Sequence, residues 1–267
     1  MSHQQRISIL LAAFGLLAAA VSVAAQPIPM YWTVGGVERE ALVFAPAASA
    51  AGGKVPLVFV FHGHGGHVEG VSRNMAFQNS WPQALVVYMQ GLPTPSPVDP
   101  RGRFPGWQRE VGQSGDRDLK FFDAVLATLK QKYPVDEHRI YATGFSNGAF
   151  FTYVLWATRG STFAAFAPCA GLLGPSLHLT VPRPVLQIDG KNDRLVHLDD
   201  AVKTVDAVRA LNGTAATGEP CGNGCTRYTS TKKTPVLFIV HPGGHVFPRW
   251  ASGRIVEFFQ AHFTREG

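Results

Sequence analysis

The 267-residue chain holds only three cysteines, Cys169, Cys221 and Cys225. A structural zinc site takes four ligands, and no second Cys/His pair is spaced to complete one, so no metal is expected. Lysine and arginine exceed aspartate and glutamate, giving a formal net charge of +6, but they form no run and no basic stripe. Nucleic-acid binding relies on a concentrated basic field, so this scattered charge points to no nucleic-acid partner. Internal repeats and charge blocks are missing as well. A long, almost wholly apolar run stands at the start of the chain, Ile7 to Val21.

That run follows Arg6, the only charged side chain before Gln26, and ends at Val23-Ala24-Ala25, with small residues at the −3 and −1 positions. The pattern reads as a secretory signal peptide over residues 1–25, cleaved near Ala25. A membrane anchor is the competing reading, since the run approaches spanning length. The cleavage site favours export without a stable membrane anchor, to the periplasm or the external medium. No cysteine near residue 25 offers a lipid attachment point. Export permits disulfides. Cys221 and Cys225 enclose Gly222-Asn223-Gly224, a flexible loop that lets the two Cα atoms approach bonding range. A Cys221–Cys225 disulfide is therefore expected, with Cys169 left as a buried thiol among apolar neighbours.

Residues 26–267 suit one large α/β domain in size. Tyr31–Val34 and Glu38–Phe44 read as a hairpin about Gly35-Gly36. Leu57–Phe61 and Ala84–Met89 are unbroken apolar runs, the signature of strands buried on both faces. Arg139–Thr143, Phe163–Ala167, Val185–Ile188 and Val236–Val240 are further strand candidates. Asp118–Tyr133 has helical periodicity with Asp118 as a candidate N-cap, and Asn147–Thr158, Asp199–Leu211 and Arg249–Phe263 read as helices. Asp199 and Asp200 stand as candidate caps of the third of these. The alternation implies a mostly parallel sheet with helices on both faces. Residues 91–106 carry five prolines and form a long loop.

The chemistry concentrates where strands end. Gly144-Phe145-Ser146-Asn147-Gly148 follows a strand and opens a helix, which reads as a nucleophile elbow presenting Ser146 at the carboxyl edge of the sheet. Glycine on either side of the serine lets neighbouring backbone pass without a Cβ clash. An elbow serine needs a base, a group that orients the base, and donors for an oxyanion. His245 and Asp193 supply the first two, in loops leaving the strands Val236–Val240 and Val185–Ile188 and in the order such sites require. Asp189 is a rival acid, but Asp193 lies further into its loop and has more reach. His241 is a rival base that closes its strand, whereas Gly243-Gly244 free the backbone ahead of His245. His62, His197 and His262 read as structural or exposed. His62-Gly63-His64-Gly65-Gly66 follows Leu57–Phe61 and offers backbone N–H groups. The donors expected are those of His64 and Asn147, with Gly65 as a substitute for His64.

Two other readings compete. His62-x-His64-x-x-His67 is similar to the metal-ligand cluster of metallo-β-lactamase-like hydrolases, but Gly66 stands where their aspartate would be and Ser146 is left unexplained. A non-catalytic binding protein on the same scaffold would require a broken triad, and all three positions are filled.

Together these residues resemble the polyhydroxybutyrate-depolymerase-type esterases of the α/β-hydrolase superfamily, which overlap with the feruloyl and acetylxylan esterases of carbohydrate esterase family one. The resemblance rests on Phe61-His62-Gly63-His64-Gly65-Gly66, Pro105-Gly106-Trp107-Gln108, the run from Asp136 to Gly148, Asp189-Gly190-Lys191-Asn192-Asp193, and Gly243-Gly244-His245-Val246-Phe247-Pro248. It implies an α/β-hydrolase catalytic domain over residues 26–267 with nucleophile Ser146, base His245, acid Asp193 and no cofactor. Two positions depart from the family pattern: Asp189 stands where histidine is usual, and His64 where cysteine is frequent. The implied reaction is hydrolysis of small or oligomeric esters through an acyl-enzyme. Hydroxycinnamoyl (feruloyl) or related plant-cell-wall esters rank first and 3-hydroxybutyrate oligomers second. Only four residues follow Phe263, so no separate polymer-binding domain is expected there. Trp107 is expected to line the pocket and stack on a ring of the substrate.

Overall fold

The computed structural model describes residues 26–50 and 52–264. The expected leader, residues 1–25 with its cleavage point at Ala25, lies outside them. Among the described residues, a ten-stranded sheet runs through the molecule. Its strands are β1 (Pro27–Val34), β2 (Val37–Phe44), β3 (Val55–Phe61), β4 (Leu85–Met89), β5 (Val135–Phe145), β6 (Ala165–Cys169), β7 (Val185–Gly190), β8 (Glu219–Pro220), β9 (Cys225–Tyr228) and β10 (Val236–His241). Their order is β1-β2-β4-β3-β5-β6-β7-β10-β9-β8. The central strands β4, β3, β5, β6, β7 and β10 are parallel, and each edge is finished by two antiparallel strands.

Every residue of β3 and β4 is buried. Apolar, largely β-branched and aromatic runs of this kind fill a strand covered on both faces. One face packs against α2 (Arg117–Lys132), α3 (Asn147–Arg159) and α4 (Leu198–Asn212), where Phe59 meets Phe122 edge-on at 4.8 Å and Trp156 stacks on Phe166 at 4.8 Å. The other face packs against α1 (Val68–Met75) and α5 (Ala251–Ala261), where Tyr141 stacks on Phe259 at 4.6 Å. These contacts hold the helices by buried aromatic area rather than by helix propensity.

Several local expectations change in detail. Strand β1 begins at Pro27 and includes Pro29, four residues earlier than the hairpin reading. It is the edge strand, where prolines cost no ladder bond if their missing N–H groups face outward. Asp118 does not cap α2; it sits inside the first turn, fully buried, with Oδ1 2.8 Å from Arg39 Nη2 and Oδ2 accepting from the Gln108 amide. A buried ion pair satisfied by a backbone donor is a better use of that carboxylate than an exposed cap. Asp199 and Asp200 likewise lie in the first turn of α4, behind His197 at the cap position, where they favour the positive end of the helix dipole. Cys221 and Cys225 are joined by a disulfide, and Cys169 is a buried free thiol at the end of β6.

All six parallel strands point their carboxyl ends the same way. The loops after β3, β5, β7 and β10 therefore gather at one edge, where ligands bind in sheets of this topology.

Candidate active site

Ser146 sits between β5 and α3 with φ 53° and ψ −120°, a backbone state that side-chain-bearing residues rarely adopt. The glycines around it are required by contact. A Cβ on Gly144 would run into Gly148 O, and one on Gly148 would run into Phe61 O of β3. The turn is held by Ser146 N–H donating to Cys169 O on the neighbouring strand at 2.9 Å.

His245 Nε2 lies 2.7 Å from Ser146 Oγ, and His245 Nδ1 lies 2.7 Å from Asp193 Oδ2. The other Asp193 oxygen accepts from the amides of Leu195 and Val196 at 2.8 and 2.9 Å. Those two donors fix the carboxylate, and the carboxylate places the proton of neutral His245 on Nδ1. Nε2 then faces the serine hydroxyl as an acceptor. The side chain of Asp193 is shielded from water, while the His245 ring keeps an open edge beside Phe145, 4.9 Å between centroids. Such a chain can take a proton from the hydroxyl and hold the resulting cation.

The rivals are placed elsewhere. Asp189 lies on β7, fully buried, accepting a 2.7 Å bond from Gln187 Nε2 on Oδ2 and leaving Oδ1 without a partner. His241 is buried, its Nδ1 accepting from Gly243 N–H at 3.1 Å. It braces the turn that carries His245 and does not reach Ser146. The His62 ring accepts from the Gly91 amide on Nε2 and donates from Nδ1 to Gly63 O, and burial pushes its pKa down to about 4. His64 Nε2 lies 3.2 Å from Asp99 Oδ2. These imidazoles serve the loops they stand in, and among the described residues no group of three or more His, Cys, Asp or Glu is arranged to hold a metal ion.

Among the described residues the N–H groups of His64 and Asn147 find no acceptor, whereas Gly65 N–H is taken by Pro105 O at 2.7 Å. Gly65 is therefore not available as the substitute donor. The two free amides belong to neighbouring residues. A Cβ on Gly106 would lie 2.7 Å from His64 Nδ1 and 2.9 Å from Asn147 Oδ1, so only a bare backbone fits between them.

Trp107 is a correction. It is fully buried, stacked on Phe151 at 5.3 Å, edge-on to Phe61, with Nε1 donating to His62 O. No ring face is left for a substrate. Its backbone matters instead: Trp107 N–H donates to Asn147 Oδ1 at 2.6 Å, and Asn147 Nδ2 donates back to Trp107 O at 3.1 Å. This amide pair ties the loop 91–106 to the first residue after Ser146. Sequence patterning gives no sign of it. The juxtaposition of Pro105-Gly106-Trp107 with His64 is visible there only as a family motif.

Asp189 carries a pH signature. Burial, aided by the charge of Asp193, raises its pKa from the usual carboxylate range to about 7 against the opposing hydrogen bond from Gln187. Between about pH 4 and pH 7 the native state keeps a proton that the unfolded chain releases. Stability therefore falls as pH rises through that window, by up to about 4 kcal/mol, and stays lowered above it. Asp189→Asn removes the charge and keeps the shape. The variant's stability advantage in urea unfolding is expected to be about 2–3 kcal/mol larger at pH 8.5 than at pH 5. An advantage independent of pH would contradict a buried, protonated carboxyl.

A large parallel sheet covered by helices, with a strained serine turn at its carboxyl edge, defines the α/β-hydrolase fold. Solved structures agree. A ferulic acid esterase matches with a TM-score of 0.66 at 14% identity, over 90% of this chain and 99% of that one. The acetyl xylan esterase from Aspergillus awamori matches with a TM-score of 0.63 at 16% identity, over 87% and 99%. No protein-family model matches the chain. In sequence, feruloyl esterase C of Emericella nidulans is 31% identical over 195 residues, covering 71% of this chain and 69% of that protein. The chain belongs to the feruloyl esterase family and is a carboxylic ester hydrolase. Among its described residues, no helix is long and apolar enough to cross a membrane.

Proposed function

We propose that the protein is an exported serine esterase in which Ser146 is the nucleophile, His245 the general base and acid, and Asp193 the group that orients the imidazole. One observation carries this: the unbroken pair of 2.7 Å contacts from Asp193 through both ring nitrogens of His245 to Ser146 Oγ. His245 Nε2 takes the hydroxyl proton as Oγ bonds to the ester carbonyl carbon, and Asp193 steadies the imidazolium. The amides of His64 and Asn147 donate to the oxyanion, each worth about 3–4 kcal/mol. Collapse breaks the bond to the alcohol oxygen, which leaves with the proton from His245. Water, deprotonated by the same imidazole, then releases the acid from Ser146.

The substrates are small or oligomeric hydroxycinnamoyl or related plant-cell-wall esters. The relative's activity as a feruloyl esterase supports this class. So does a hollow of about 410 Å³ one helical turn beyond Ser146, walled by Pro95, Pro97, Arg109 and Phe150. The Arg109 guanidinium lies 3.8 Å over the Phe150 ring there, a flat surface suited to a planar acyl group. Product release by the purified protein from methyl ferulate and from soluble 3-hydroxybutyrate oligomers tests the assignment. Ferulate is expected to dominate. Hydroxybutyrate release with little ferulate would replace the substrate class by hydroxyalkanoate oligomers.

A further inference from the structure

A cavity stands apart from Ser146, with neither Ser146 nor His245 in its lining. It has a volume of about 750 Å³ and lies between the disulfide loop and α5, lined among others by Asn223, His241, Trp250, Arg254 and Glu257. That is ample for a ligand of two or three rings.

Its walls are built rather than incidental. Gly222, Asn223 and Gly224 all stand at positive φ, and the loop is closed by the disulfide, by Cys221 N–H to Cys225 O at 2.9 Å and by Cys225 N–H to Gly222 O at 2.8 Å. Val240 N–H donates to Gly224 O at 3.0 Å and joins the loop to β10. On the far wall Trp250 is 46% exposed and presents an apolar ring face to the cavity. Arg254 and Glu257 form a 3.0 Å ion pair beside it. Asn223 is exposed on the loop, and the buried His241 Nε2 has no partner among the described residues.

These groups select a class of ligand. An apolar ligand would desolvate the ion pair and the amide without replacing their bonds to water. An anion or a cation meets both signs at once in Arg254 and Glu257. A neutral polyhydroxylated ring satisfies every wall: its hydroxyls bond to guanidinium, carboxylate and amide, and its C–H face lies on the indole. The cavity also shares its wall with the loop of the base. His241 O accepts from Lys191 N–H, and His241 Nδ1 accepts from Gly243 N–H two residues before His245. His245 is the side from which the alcohol departs with its proton.

We infer that this cavity is a saccharide subsite that holds the sugar chain on the alcohol side of the ester. The choice of pentose units rests on the cell-wall-ester reading above; the site itself does not need turnover to be detected. The probe is xylotriose, titrated by ligand-observed NMR against the full chain carrying Ser146→Ala. Binding is expected, and adding Trp250→Ala weakens it about tenfold, the effect of losing one stacking face. Trp250 is half exposed, and circular dichroism confirms that the variant is folded. In the active enzyme, the same change raises the KM for a feruloylated xylo-oligosaccharide about tenfold relative to the KM for methyl ferulate, with kcat little altered. Xylotriose that does not bind, or that binds equally with and without Trp250, overturns the subsite. Methyl ferulate turnover reports on the ester assignment alone, so failure of one reading is not mistaken for failure of the other.

Discussion

Ser146→Ala lowers kcat on methyl ferulate by about a million-fold, the loss expected when a triad nucleophile is removed. The substitution deletes one oxygen, whose contact in the structure is with His245 Nε2. Alanine keeps the Cβ that the elbow already accommodates at φ 53°. Neither the bond from Ser146 N–H to Cys169 O nor the close approach of Gly148 to β3 involves the hydroxyl. The variant therefore folds as the parent does, and its melting temperature shifts by no more than a few degrees. The residual rate expected is what binding and the proposed oxyanion donors, the His64 and Asn147 amides, would supply. A variant retaining even one-hundredth of the parent activity would place the nucleophile elsewhere.

Asp193→Asn is expected to cost about 10⁴ in kcat at neutral pH while leaving KM nearly unchanged. The reason is a tautomer. The introduced carboxamide keeps its carbonyl oxygen toward the amides of Leu195 and Val196, where Asp193 Oδ1 sits now. Its NH₂ then faces His245 Nδ1, which must become an acceptor, and the ring proton moves to Nε2 opposite Ser146 Oγ. The imidazole is in place but holds the wrong proton. Steady-state kinetics with methyl ferulate check this. A loss under tenfold would show that Asp193 does not set the protonation of the base, and would return attention to Asp189, the next carboxylate on the same strand–loop segment.

Much of the site can be read from the chain because each chemical group follows a strand. The elbow serine, Asp193 and His245 stand one loop beyond β5, β7 and β10, and parallel strands bring such loops to one edge whatever their distance in sequence. The choices between Asp193 and Asp189, and between His245 and His241, depend on reach, a local property. The residues on the strands are engaged elsewhere, Asp189 with Gln187 and His241 with the Gly243 amide, and neither contacts Ser146.

Other features depend on neighbours that no local pattern reveals. Trp107 follows a proline-rich loop that looks exposed, yet Phe61 and Phe151, from a strand and a helix distant in sequence, enclose it. The pairing of Asp118 with Arg39 spans 79 residues and outweighs the local preference of aspartate for a helix cap. The reciprocal amide bonds between Asn147 and Trp107 likewise join segments 40 residues apart. Strand β1 looks shorter in sequence because Pro27 and Pro29 disfavour a strand. Only its position at the sheet edge removes that objection.

The central claim is that Ser146 is an activated nucleophile. The most direct measurement treats the intact protein with a fluorophosphonate and locates the adduct by peptide mass spectrometry. Phosphonylation of Ser146, absent from the folded Ser146→Ala and sharply slowed in Asp193→Asn, is the predicted result. Ester turnover by an intact protein that takes up no label at Ser146, or takes it up at another residue, would contradict the account.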